Sequence, residues 1–148
     1  MIFRNLTANE IPLCYEGGKL FLEEAKFPEP FNPEAFQEFW RAAYLMGMGE
    51  ILAVLDDEQN QRVIGALGYA LSKCPFTGTL TALEQFWWVC PQHRKNGVAR
   101  HLVENFERIA KEQGAKRMAM VHLAGWTLSK VFEARGYKLC EQTFWKEI

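Results

Sequence analysis

Nothing in the 148-residue sequence approaches the ~20 consecutive apolar residues of a bilayer-spanning helix, so no membrane segment is expected. The stretch Met1 to Asn5 has no basic segment followed by an apolar run and a small-residue cleavage site, which argues against a secretory signal. An excess of one charge is lacking too. Seventeen basic residues stand against eighteen acidic ones, which leaves no global field to recruit nucleic acid or an anionic membrane, and no helix-turn-helix pattern is present. The four cysteines (Cys14, Cys74, Cys90, Cys140) lie far apart, without the close pairs of a zinc knuckle or a redox C-x-x-C. They read as free thiols in a reducing compartment, with no metal implied. The expectation is a soluble, cytoplasmic protein.

What is present is the balance of an ordinary globular domain, 49% hydrophobic and 24% charged, at a length that buries roughly two-thirds of the unfolded surface in one core. With no internal repeat and no linker, residues 1–148 are expected to form one domain.

Ile2 to Leu6 alternate as a first strand. Asn9 or Thr7 then offers a helix N-cap, and Pro12 favours Asn9 because a proline in the first turn forfeits an N–H that has no intrahelical partner anyway. Gly17 and Gly18 should weaken or kink that helix. Phe27-Pro28-Glu29-Pro30-Phe31 cannot be helix interior, whereas Asn32-Pro33-Glu34 reads as cap, first-turn proline and acid at the positive helix end. Phe36, Phe39, Trp40, Ala43 and Tyr44 mark the buried face of this second helix, which Gly47 and Gly49 terminate.

Ile51 to Leu55 and Val63 to Leu71 flank a polar turn over Asp56 to Gln61, and a second turn at Pro75 to Gly78 leads into Leu80 to Val89, giving three strands in a meander. Val98, Leu102, Val103, Phe106, Ile109 and Ala110 then form one helical stripe, closed by Gly114. A strand from Arg117 to Leu123, a helix carrying Leu128, Val131 and Phe132 up to Gly136, and a last strand from Tyr137 to Trp145 complete the chain. The predicted order is β-α-α-β-β-β-α-β-α-β, a mixed α/β fold with about six strands and four helices.

The chemistry concentrates in Trp87-Trp88-Val89-Cys90-Pro91-Gln92-His93-Arg94-Lys95-Asn96-Gly97-Val98-Ala99-Arg100, where a strand ends at a proline and a helix begins behind a short polar loop. Such a junction points free backbone N–H groups outward, and the helix dipole favours an anionic pyrophosphate there. Gly97 lets a ligand approach the backbone, and Arg94, Lys95 and Arg100 bring cationic groups. Other phosphate loops fit worse: the sequence has no G-x-x-x-x-G-K-[ST], and no G-x-G-x-x-G follows the first strand.

Arg94-x-x-Gly97-x-Ala99 behind the Val89-x-Pro91 strand end resembles the acetyl-CoA signature of the GNAT N-acetyltransferase superfamily, whose element order matches the predicted one over essentially the whole chain. The resemblance implies an acyl-CoA-dependent N-acyltransferase moving an acetyl group from acetyl-CoA to a small-molecule or peptide amine, by direct attack in a ternary complex. It implies that Trp87 and Val89 contact the pantetheine arm where their strand splays from its neighbour, and that Arg94, Lys95, Asn96, Gly97, Val98, Ala99 and Arg100 cradle the pyrophosphate.

Two positions depart from the family pattern. The usual tyrosine that protonates the leaving thiolate falls on Phe132, and the usual asparagine near the start of that helix falls on Gly125. Phe132 has no exchangeable proton, so water, Tyr137, Cys140 or no acid at all takes that part; a thiol of pKa near 8.5 leaves fairly well unaided. The same departure motivates an alternative, a degenerate relative that binds acyl-CoA as a sensor or interaction module. Only eleven residues follow Tyr137, room for one strand, and the edge so left open invites a homodimer near Gln142 to Ile148.

An amine attacks a thioester only when neutral. A lysine-like amine is neutral about 0.04% of the time at pH 7 and an α-amine roughly 14%, so the former needs a general base more. Glu84 on the central strand is the first candidate and His122 at the end of the next strand the second. Strict alternation puts Glu84 on one face with Phe86 and Trp88, opposite Trp87 and Val89, unless a bulge intervenes. The run Glu23, Glu24, Phe27, Glu29 and Phe31 suits a wall for a cationic amine.

Overall fold

The computed structural model describes residues 1–57, 61–123, 125, 126 and 128–148. Five strands, β1 (Ile2–Asn5), β2 (Gly49–Asp56), β3 (Arg62–Lys73), β4 (Leu80–Val89) and β5 (Arg117–Ala119), lie in that spatial order, antiparallel except for the parallel β4–β5 pair. Four helices accompany them: α1 (Tyr15–Ala25), α2 (Pro33–Leu45), α3 (Val98–Glu112) and α4 (Ser129–Ala134). Short 3-10 segments at Ala8–Cys14 and Pro91–His93 precede α1 and α3. Residues 58–60 of the predicted polar turn lie outside the described residues.

The sheet separates two layers of core. Leu52, Val54, Ile64, Leu67 and Tyr69 pack under the α3 stripe of Val98, Leu102, Val103, Phe106 and Ala110. Ile51, Ala53, Leu55, Val63 and Ala66 face Ile11, Cys14 and Trp40 on the other side. The period-two alternation along β2 therefore feeds both layers, and each fully buried aliphatic side chain contributes roughly 1.5–3 kcal/mol. Asn32 caps α2 as expected, its Oδ1 accepting the Ala35 N–H at 3.0 Å, and Gly114 closes α3 with φ of +84°. Phe39 departs from the expected buried stripe of α2. It is 50% exposed, because the tight helix–sheet contact falls on Trp40, which stacks edge-on against Phe86.

The N-terminal segment corrects the expected cap. Thr7, not Asn9, is the cap residue, and its N–H and hydroxyl both donate to Glu10 Oε2 at 2.9 Å. Arg4 forks onto the same carboxylate at 2.6 and 2.8 Å, which fixes Glu10 and with it the start of the segment. Pro12 deletes an N–H within that segment, which winds as 3-10 until α1 takes over at Tyr15.

Gly17 and Gly18 do not interrupt α1; they allow it to pack closely. A Cβ on Gly17 would lie 3.1 Å from the Trp88 ring, and one on Gly18 2.5 Å from the Phe31 ring.

The sheet is one strand smaller than the expected six. Residues 137–148 form no strand, since β5 offers only three residues to pair with, and Phe144 and Trp145 stand exposed. The predicted strand from Arg117 to Leu123 stops at Ala119 for a reason that bears on the site: the Val121 N–H turns to the Glu84 carboxylate.

Candidate active site

β4 positions both halves of the site through one irregularity. Gly68 of β3 pairs with Phe86 but the next residue, Tyr69, pairs with Glu84, so Gln85 is an extra residue in β4. This bulge overturns the strict alternation expected from sequence. Phe86 and Trp88 face α1 and α2, while Glu84 lies on the other face with Trp87 and Val89. The β4–β5 pairing ends at Leu83–Ala119, so from Glu84 to Val89 strand β4 has β3 on one side and, among the described residues, no strand on the other. Half of its main-chain donors and acceptors there face an open parting.

Glu84 sits where the strands part. It is 6% exposed, and Oε2 accepts the Val121 N–H at 2.8 Å. Burial raises its pKa to about 7, the Val121 hydrogen bond opposing the shift. A carboxylate half-ionised near neutrality is matched to accepting a proton.

His122 is differently employed. Nδ1 lies 3.0 Å from the Leu123 carbonyl and Nε2 2.9 Å from Ser129 Oγ. The carbonyl can only accept, so Nδ1 carries the hydrogen, and Nε2 shares a hydrogen bond with the Ser129 hydroxyl. Both nitrogens are thus engaged in holding the segment before α4.

The loop after β4 forms the second half. Gly97, at φ of +77°, occupies the N-cap of α3 without a side-chain cap, and a Cβ there would project into open space. His101 is the first α3 residue whose N–H reaches back to a carbonyl, that of Gly97 at 3.0 Å. The N–H groups of Gly97, Val98, Ala99 and Arg100 thus have no backbone acceptor among the described residues, and the helix dipole adds to their positive potential. Val98 is fully buried and anchors this end of α3 over Gly65, where a Cβ would come within 2.8 Å of Val98 Cγ1.

The cations around the loop divide. Arg94 Nε donates to the Val89 carbonyl at 3.0 Å and its fork binds Glu24 of α1 at 2.5 and 2.7 Å, which ties the loop to α1 and holds the Glu24 carboxyl below its usual range. Arg100 pairs with Glu104 one helical turn on, at 2.7 Å. Lys95 and Asn96 are exposed, with no side-chain hydrogen bond or ion pair among the described residues. The free N–H groups, the missing Cβ at Gly97 and the unengaged Lys95 together suit a pyrophosphate.

Phe132 is buried against Trp87, His122 and Tyr137, with ring centroids 5.9 to 6.2 Å apart. The Tyr137 hydroxyl donates to Glu107 Oε1 at 3.2 Å, and burial beside that carboxylate raises its pKa, which makes it a poor proton donor. Cys140 is exposed. The acidic run before α2 also divides: Glu24 is committed to Arg94, while Glu23 and Glu29 line an outer depression with Glu16 and Lys19.

Several working contacts escaped the sequence. Glu24 meets Arg94 across 70 residues of chain, and Ser129 meets His122 through α4 packing; neither has a local signal. Gly65 had one, a glycine inside a strand, whereas the Gln85 bulge is set by the register of β4 on β3.

The acetyltransferase (GNAT) family model matches residues 20–136, from α1 to the end of α4. The chain belongs to the GNAT acetyltransferase family. GNAT enzymes use acetyl-CoA, and the matched span contains the loop, the parting and Glu84. No curated protein matches the sequence significantly. Solved GNAT-like structures align along its whole length. A probable acetyltransferase superimposes with a TM-score of 0.78 at 19% identity, covering 100% of this chain and 98% of its own. A predicted acetyltransferase from Clostridium acetobutylicum, solved with acetyl-CoA, gives 0.79 at 16%, covering 99% and 94%. Glucosamine-6-phosphate N-acetyltransferase from Arabidopsis thaliana gives 0.76 at 11%, covering 99% and 97%. At these identities the likeness establishes the GNAT fold. Among the described residues no helix is long and apolar enough to cross a membrane, and no cluster of His, Cys, Asp or Glu is arranged to hold a metal ion.

Proposed function

We propose that this GNAT protein transfers an acetyl group from acetyl-CoA to a primary amine, with Glu84 as the general base. The observation that carries the reading is the burial of the Glu84 carboxylate, which raises its pKa to about 7, at the point where β4 and β5 separate. The free N–H groups from Gly97 to Arg100 hold the pyrophosphate, with Lys95 beside them, and the edge of β4 at Trp87 and the Val89 N–H, where no described strand pairs, bonds the pantetheine arm. When bound, acetyl-CoA supplies an activated acetyl thioester. Glu84 takes a proton from the bound ammonium, and the neutral amine so formed attacks the thioester carbonyl, the new C–N bond replacing the C–S bond as the CoA thiolate departs. Phe132 offers no proton to the departing thiolate, which leaves as the anion or takes one from water.

CoA at a hundredfold excess over its dissociation constant should stabilise the fold by about 2.7 kcal/mol, with adenine nucleotides lacking pantetheine doing less. The melting temperature with and without ligand checks this, and no shift at millimolar CoA contradicts the cradle.

A second reading, an acyl-CoA-binding sensor, draws on Phe132 and on the engagement of Tyr137 by Glu107. Thiol release from acetyl-CoA across polyamines, amino acids, aminoglycosides, arylalkylamines and peptides separates the two. Release with any of them supports transfer, whereas binding without release supports the sensor.

A further inference from the structure

A cavity of about 450 Å³ lies on the α1/α2 side of the sheet, walled chiefly by Phe21, Phe36, Phe39, Trp40, Phe86 and Trp88. Its size is that of a small-ligand site. Three features distinguish it from a packing defect. It carries no charged side chain; its few polar groups include the Gln85 and Asn32 amides. Glycines at 17 and 18 bring α1 down onto the Trp88 and Phe31 rings, so the aromatic wall is closely supported and not collapsed. Trp88 itself is 6% exposed, and its indole N–H is buried with no acceptor among the described residues.

One residue ties the cavity to the candidate base. Gln85, the extra residue of the β4 bulge, lines it and is the chain neighbour of Glu84 on the opposite face. A molecule seated against Phe86 and Trp88 lies on the far side of β4 from the residues facing α3 and α4, beside the stretch of β4 beyond its last pair with β5, Leu83–Ala119.

We infer that the amine acceptor is an arylalkylamine: a single amino group on a short chain, carrying an uncharged aromatic body that fills this cavity. The inference rests on the acetyl-transfer reading and adds the substrate class. Aromatic walls without a carboxylate favour a flat apolar body and disfavour a polycation, whose additional ammonium groups would lose their water without a partner. The amine itself is directed to the Glu84 carboxylate at the parting. Of the carboxylates on α1 and the segment after it, Glu24 is bound to Arg94, while Glu23 and Glu29 line the outer depression, which adjoins the cavity through Leu22, Phe27 and Phe31.

The test compares 2-phenylethylamine and tyramine with spermidine and an aminoglycoside, on the wild type and on Ala35→Trp. Ala35 lines the cavity from an exposed position on α2, so the larger side chain fills space without disturbing either core layer. The arylalkylamines should show kcat/KM at least roughly thirtyfold above the polycations, the scale set by burying an aromatic ring. Ala35→Trp should lower that value for the arylalkylamines by about tenfold or more, through KM, with the KM for acetyl-CoA unchanged. Preference for spermidine or the aminoglycoside overturns the assignment and points to the outer acidic depression. Faster turnover of octanoyl-CoA than acetyl-CoA, lost in Ala35→Trp, overturns it in favour of an acyl-chain pocket.

Thermal shift with 2-phenylethylamine reads the cavity without turnover. A shift in the wild type that Ala35→Trp removes supports the inference even if no thiol is released, in which case the transfer reading alone fails. The absence of any shift in the wild type, with acetyl-CoA turnover on other amines intact, overturns the inference alone.

Discussion

Gly97→Glu should abolish CoA binding, with affinity falling at least a hundredfold while the fold survives. Three effects act together at this residue. A side chain grows into the open space in front of four free N–H groups, its carboxylate repels a pyrophosphate, and φ of +77° strains any L-residue by roughly 1–2 kcal/mol. Gly97→Ala isolates the strain, since its methyl group meets nothing within 4 Å. That variant should lose some stability, and its methyl group, which stands where the ligand approaches, should weaken CoA binding by less than Gly97→Glu does. Calorimetric titration of both variants, with circular dichroism to confirm folding, checks the pair. Normal CoA affinity in folded Gly97→Glu would place the cradle elsewhere.

Glu84→Gln should lower kcat by roughly a hundredfold or more, in the range general bases contribute, and leave CoA affinity nearly unchanged. The wild-type kcat/KM should rise with pH through about 7 as Glu84 ionises, and this limb should vanish in the variant. Any limb near pH 10 that remains belongs to the amine. His122→Ala should be mild by comparison, because both ring nitrogens are employed in local hydrogen bonds.

The stability of the same variant should move the other way. The folded-state pKa of Glu84 lies above its ordinary value of 4.5, so the native state binds the proton more tightly than the unfolded chain does. Stability is therefore present below about pH 4.5 and is lost as pH rises to about 7, by an amount on the order of 3 kcal/mol. A glutamine can still accept the Val121 N–H but carries no charge to desolvate. Glu84→Gln should consequently melt higher than wild type at pH 8 and match it near pH 4.5. A variant that gains stability while losing turnover identifies a carboxylate kept buried for its chemistry.

The legible parts of the fold were those governed by local chemistry. Asn32-Pro33-Glu34 set the start of α2, Gly114 closed α3, and the stripe from Val98 to Ala110 named the buried face of α3, since each depends on residues within a few turns of one another. The shape of the loop after β4 was legible for the same reason: Pro91, Gly97 and the apolar Val98 are local determinants of a strand end, a left-handed cap and an anchored helix start. Glu84 was identified as a candidate, but its face was not fixed, because the bulge at Gln85 depends on how β4 registers against β3. Arg94 carried the motif, yet its partner on α1 comes from tertiary packing. The last strand failed for a related reason. Residues 137–145 alternate well enough, but a strand needs an edge, and β5 ends after three residues where Glu84 takes the Val121 N–H.

Transfer of acetyl from CoA to an amine at the β4–β5 parting can be followed with acetyl-CoA labelled in its acetyl carbons. The labelled cosubstrate is incubated with the amine panel, and products are read by mass spectrometry alongside free thiol. The account predicts that at least one amine gains a single labelled acetyl group for each thiol released, and that Glu84→Gln slows both equally. CoA binding intact, with no amine acquiring label at any pH between 6 and 9, would contradict it.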